Sequence, residues 1–153
     1  MHTVAADPHP APQIHSDDTP VSSLPTNMAR HRGPMYYKTS ESAVTKLSQA
    51  IHEGDGEIMI TPFFGDVSKL PVRYEIWELE PGVSDGRHVH DGESAMEKFY
   101  DFIKGEGLMW AGGEDIPVTA GDAVLAPEGS DHGFRNTGSE PLKLLIIWGK
   151  PME

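Results

Sequence analysis

The chain of 153 residues sets 12 Lys+Arg against 24 Asp+Glu, a formal charge of -12, with 37% apolar residues and no cysteine. That acidity opposes binding to nucleic acid, whose phosphates call for clustered Lys and Arg, and to an anionic membrane surface. Without cysteine there are no disulfides, and a transition-metal site has to be built from His and carboxylate side chains.

The length suits one domain around one hydrophobic core. Sixteen Gly and thirteen Pro favour short strands joined by turns. The longest apolar run, Leu144 to Trp148, is too short to span a bilayer, and the N-terminus lacks the charged start and apolar middle of a secretory signal. The expected location is the cytoplasm.

Residues 1–34 form a segment of their own, with Pro8, Pro10, Pro12, Pro20 and Pro25. Proline fixes φ and removes N–H donors, so the expectation is a flexible or draped arm; the alternative is an arm ordered on a partner subunit. The barrel domain is expected over 35–153. Within it, Ala43, Val44, Leu47, Ala50 and Ile51 repeat at helical spacing, which predicts one short N-terminal helix over 40–52. Glu41 suits its start, Gly54 its stop, and His52 its C-terminal cap.

From residue 57 to about 150 the pattern turns to strands: 57–61, 72–80, 87–90, 97–104, 107–111, 114–119, 122–126, 131–136 and 142–148. Turn signals such as Pro81-Gly82, Asp91-Gly92 and Gly112-Gly113 separate them, as in a β-sandwich or barrel. In the last strand Leu142, Leu144, Ile146 and Trp148 line one face. Leu145 and Ile147 make the other apolar too, which predicts burial on both sides.

His88 and His90 lie two apart on an extended chain, so their side chains share a face with α-carbons roughly 6–7 Å apart. Two imidazoles so placed can converge on one cation at about 2.0–2.1 Å. His132, at the start of the strand after Pro127 and Gly129, is the third candidate.

These positions carry a family resemblance. Gly121, Pro127, Gly129, His132 and Asn136 stand in the order Gly, five residues, Pro, one, Gly, two, His, three, Asn. Gly82, His88 and His90 stand as Gly, five residues, His-x-His. Over roughly 57–150 the chain thus resembles the cupin superfamily. The resemblance implies an all-β fold, a jelly-roll β-barrel holding one divalent metal by three His and one Glu.

Carried over, His88, His90 and His132 would be ligands. The glutamate is where the chain departs: the family's spacing lands on Ser94, Ala95 or Lys98. Two carboxylates bracket the gap. Glu97 needs a bulge to turn inward; Glu93 would fold back over the metal from its loop. The third arrangement is three His with water or Asp91. Lys98 is either the ion-pair partner of Glu97 or a cation reaching toward an acidic substrate. Tyr100 and Phe102 share one strand face, and Tyr100 is a candidate general acid or base, with Glu93 as a second catalytic candidate.

Imidazole and carboxylate suit Fe, Mn, Ni, Co, Cu or Zn. Four protein ligands on an octahedral ion leave two positions open, which favours catalysis over a closed structural site. The leading expectation is an Fe(II) dioxygenase acting on a small organic molecule. The second is a redox-neutral metal-dependent isomerase, epimerase or lyase, and the third a non-catalytic binding or sensing barrel. A homodimer joined through a sheet edge and the N-terminal arm is the expected assembly.

Overall fold

The structure, a computed structural model, describes residues 36–152; the Pro-rich arm expected over 1–34 lies outside the described residues. Ten strands follow in chain order among them: β1 (Leu47–Gln49), β2 (Ile58–Pro62), β3 (Val72–Leu79), β4 (Ser84–Val89), β5 (Glu97–Lys104), β6 (Glu106–Ala111), β7 (Glu114–Thr119), β8 (Ala123–Ala126), β9 (Asp131–Asn136) and β10 (Leu142–Gly149). They form a six-stranded sheet, β1-β2-β3-β10-β5-β8, and a four-stranded sheet, β4-β9-β6-β7. Every pairing between strands is antiparallel.

The helix expected over 40–52 does not form. Glu41–Ala43 makes a single 3-10 turn, and β1 pairs with β2 instead, Leu47 opposite Ile60. A helical stripe is worth forming only where a facing surface buries it. The β-branched Val44 and Thr45 favour extended chain, and Leu47 stays 49% exposed at the sheet edge. Ion pairs Lys143–Glu41 and Lys46–Glu78 tie this segment to the six-stranded sheet.

Period-2 alternation explains the core. Trp77 and Leu79 from β3, Tyr100 and Phe102 from β5, and Leu142, Leu144 and Ile146 from β10 point inward from one sheet; Met109, Val118 and Phe134 meet them from the other. Each large apolar side chain so buried contributes about 1.5–3 kcal/mol. The second face of β10 is only half covered, with Leu145 and Ile147 of intermediate exposure, so the expected two-sided burial is partial.

Two features position the site. Asn136, 1% exposed, donates from Nδ2 to the carbonyls of Leu79 and Glu140 and accepts from the Gly138 amide, pinning the end of β9. In β4 the register with β9 shifts between Asp85 and His88, so that Asp85 faces Phe134 while His88 faces His132. Residues three apart would ordinarily point to opposite faces; the bulge turns Asp85 and His88 to the same one.

Candidate metal centre

His88 and His132 sit directly opposite each other across the β4–β9 ladder, their ring centroids 4.3 Å apart. His90 follows at the end of β4, its ring 4.7 Å from that of His88 and 5.7 Å from that of His132. The structure thus brings together the three histidines singled out from spacing.

Their orientation is fixed by backbone. His88 Nδ1 lies 2.7 Å from the Gly86 carbonyl and His132 Nδ1 2.9 Å from that of Ser130. A carbonyl only accepts, so each Nδ1 carries the proton and each Nε2 offers a lone pair. Burial lowers the pKa of His88 and of His90 to about 4, the charge of Lys98 adding to the effect at both, and burial lowers that of His132 as well. All three are neutral imidazoles at neutral pH. The Nε2 atoms of His90 and His132 are buried without a hydrogen-bond partner among the described residues.

A fourth imidazole joins them. His52, assigned from sequence as a helix cap, stands in a left-handed turn with Glu53, φ +46° and +58°. Its ring stacks on His88 with centroids 3.4 Å apart and planes inclined by 18°. Nitrogens of His52, His88 and His90 lie within 4.8 Å of one another. Nδ1 of His52 donates to Asp85 Oδ1 at 2.7 Å, and Asp85 is fully buried. Face-to-face rings direct their in-plane lone pairs side by side, so His52 buttresses His88 rather than converging with it. Gly86 makes the approach possible: a Cβ there would fall 1.8 Å from the His52 carbonyl oxygen.

The carboxylate assignments need correction. β5 pairs regularly with β8 and, at this end, with β10: Glu97 faces Gly149, and Lys98 faces Trp148 and Ala126. No bulge interrupts it here. Lys98, Tyr100 and Phe102 are buried inward, while Glu97 lies on the outer face with Phe99, beside Val72 and Ile147. Glu97 is therefore turned away from the histidines. Glu93 and Asp91 are exposed, Glu93 in a 3-10 turn (Gly92–Ser94) that lines a surface groove with Arg73 and Trp148.

Lys98 occupies the inward position instead. It is 4% exposed, and its Nζ lies 3.2 Å from His88 Nε2. Burial lowers its pKa, against the attraction of the Asp85 and Glu75 carboxylates. Tyr100 is 1% exposed, its hydroxyl has no partner among the described residues, and burial raises its pKa well above the ordinary value. Beside this cluster opens a cavity of about 210 Å³ whose lining includes His52, His90, Lys98, Glu75, Trp77 and Met96. The indole N–H groups of Trp77 and Trp148 both donate to Glu75 Oε2, at 2.8 and 3.2 Å. Neither His52 nor Glu75 was singled out from the sequence as a site residue.

The donor set fits a transition metal. Neutral imidazoles packed within 5.7 Å of one another, two of them with a buried Nε2 that no donor among the described residues reaches, present what a borderline divalent cation takes up.

Similarity to known proteins agrees with this geometry. Residues 75–148, from β3 to β10, match the Cupin domain family. The chain belongs to the cupin superfamily. Among curated proteins this cupin is 37% identical over 70 residues to an oxalate-binding protein of Thermotoga maritima, covering 46% of the chain and 55% of that protein. It is also 37% identical over 49 residues to an uncharacterised protein of Methanocaldococcus jannaschii, covering 32% and 39%. The chain thus spans about half the length of the curated relatives it matches or less.

Among solved structures it resembles a predicted oxalate decarboxylase of Thermotoga maritima, with TM-score 0.67 and 27% identity over 75% of this chain and 100% of that one. A cupin 2 conserved barrel protein of Salinispora arenicola shares the fold, with TM-score 0.59 and 20% identity over 77% and 91% of the two chains. Among the described residues no helix is long and apolar enough to cross a membrane.

Proposed function

We propose that this cupin is a metal-dependent enzyme for a small carboxylate such as oxalate, a lyase that releases carbon dioxide. The observation that carries the reading is the packing of the His88, His90 and His132 rings, centroids 4.3 to 5.7 Å apart, with the Nε2 atoms of His90 and His132 unpartnered among the described residues. These three would hold the metal, while His52, backed by Asp85, fixes the His88 ring. A bound divalent metal supplies Lewis-acid polarisation of the carboxylate oxygens. Similarity to an oxalate-binding protein and to a predicted oxalate decarboxylase structure of Thermotoga maritima supports a carboxylate substrate.

The protein's own groups fit the rest of the chemistry. Cleaving the C–C bond of oxalate releases carbon dioxide and leaves an electron pair on carbon, which takes up one proton to give formate. Tyr100 is a buried, protonated group on the same inward face of β5 as Lys98, its ring centroid 6.2 Å from that of His132. It is the proton donor in this reading. The competing reading, an Fe(II) dioxygenase, draws on the same imidazoles and on open metal positions.

Metal analysis of protein purified without added metal, paired with assays of formate release and oxygen uptake, separates the two. The expected result is about one equivalent of metal, lost in His132→Ala, with formate formed and no stoichiometric oxygen consumption. Stoichiometric oxygen uptake on substrate would establish the dioxygenase instead, and unchanged metal content in His132→Ala would remove the site.

A further inference from the structure

We infer that Lys98 anchors one carboxylate of a small dicarboxylate dianion in the cavity beside His90, and that it couples the binding of this dianion to that of the metal. The coupling rests on the metal reading above; the anchor does not.

Lys98 points inward from β5, is 4% exposed, and among the described residues meets a single hydrogen-bond partner, the lone pair of His88 Nε2. That contact satisfies a donor without neutralising the charge. Of the nearby carboxylates, Asp85 gives Oδ1 to His52 and keeps Oδ2 buried without a partner among the described residues, and Glu75 Oε2 accepts from two tryptophans; both attract Lys98 only across a distance. Neither forms an ion pair with Lys98 among the described residues. A buried ammonium without a paired anion is costly to hold, and it opens onto a lined cavity. The arrangement is that of a receptor for an anion.

Size and charge narrow the class. A cavity of about 210 Å³ has room for about seven waters at roughly 30 Å³ each, which suits two carboxylates joined directly or through one carbon. The second charge follows from the neighbours of Lys98. An ammonium 3.2 Å from an imidazole nitrogen that also faces a divalent cation repels that cation. A monoanion relieves one of the two positive charges; a dianion lies between them and meets both. Metal and dianion then favour each other's binding, and by linkage the factor is the same in either direction. Without dianion, Lys98 holds the His88 lone pair and opposes the metal.

Oxalate binding, followed by calorimetry on the full chain, tests this. Protein is compared stripped of metal and loaded with Mn²⁺ (excess ion removed), as wild type and as Lys98→Met, whose unbranched apolar side chain fills the same space. Wild type is expected to bind oxalate at least about tenfold tighter than oxamide, its neutral counterpart. Lys98→Met is expected to lose that preference, and Mn²⁺ to tighten oxalate binding to wild type by about 5–150-fold. Equal oxalate affinity in wild type and folded Lys98→Met overturns the anchor. If Lys98→Met does not fold, equal affinity of wild type for oxalate and oxamide overturns it. A coupling factor of one in Mn²⁺-loaded wild type overturns the coupling. If neither protein holds Mn²⁺, the metal reading and the coupling fail together, while the oxalate–oxamide difference in stripped protein still decides the anchor.

Discussion

The two sheets contribute opposite kinds of side chain to the histidine cluster and the cavity beside it. The four-stranded sheet presents His88 and His132 on paired strands, each ring held by a backbone carbonyl two residues before it. The six-stranded sheet presents Lys98 and Tyr100 from β5 and Glu75 and Trp77 from β3. One wall is rigid, neutral and nitrogen-lined. The other carries the charges, on side chains with several rotatable bonds. In the proposed reading, metal affinity is set by the first wall, and its modulation by the second.

The contrast breaks most visibly at Lys98→Glu, which gives the charged wall the carboxylate that the family pattern expects. Changing +1 to -1 at roughly 5 Å from a divalent ion is worth about 3 kcal/mol even at a dielectric constant of ~80, or about two orders of magnitude. Competition with a chelator is expected to show metal bound that much tighter, with oxalate affinity lost. Weaker metal binding would mean that position 98 does not face the metal.

Asp85→Asn tests the rigid wall at a distance. Asp85 is fully buried and holds His52 against His88. Groups that orient ligand-bearing rings typically change metal affinity about 10–100-fold. The expected loss is at the low end of that range, about tenfold, because the Gly86 carbonyl still orients His88. No change in affinity would reduce His52 to a packing residue.

How much of this was legible in sequence follows the same division. The bounds of the strand Glu97–Lys104 could be read from the sequence, because alternation is local and a turn glycine marks its end. His88, His90 and His132 were readable because their spacing is fixed by strand period and tight turns. The segment 40–52 was not: Ala43, Val44, Leu47, Ala50 and Ile51 fit a helical stripe, and only the pairing of Leu47 with Ile60 shows that the sheet edge claims it. That misreading hid His52, whose signal was the turn-rich His52-Glu53-Gly54-Asp55-Gly56 just after it. The Asp85–His88 bulge depends on register with β9 and had no local mark. At β5 the residue type at position 98 was visible, but which of two neighbours faces inward was decided by pairing with β10 and β8.

Acid is expected to act on the rigid wall. In metal-free protein His88 and His90 titrate near 4 when folded, against about 6.5 in an unfolded chain. Between these values the unfolded state binds more protons, so stability rises with pH. The contribution is complete above about 6.5 and falls progressively as pH drops toward 4. Urea midpoints measured across that window should decline, and less steeply in His90→Gln, which removes one of the titrating groups. Equal slopes in both proteins would show that His90 is not held neutral by burial.

The smallest expected effect is at Glu97, and it tests the register that the contrast depends on. Glu97 pairs with Gly149 and shares the outer face of β5 with Phe99, while Lys98, one residue on, faces Ala126 and the interior. For Glu97 to reach the metal, the strand would need an extra residue beside it; its ladders are regular there, and the one register shift with β10 lies at the far end, between Phe102 and Lys104. Glu97→Gln is therefore expected to leave metal content within about twofold of wild type, since surface substitutions away from packed or paired groups change stability by at most about 0.5 kcal/mol. Elemental analysis after chelator challenge reads this directly. A tenfold loss of metal would place the carboxylate inside, turn Lys98 outward, and dissolve the distinction between a neutral wall that binds and a charged wall that modulates.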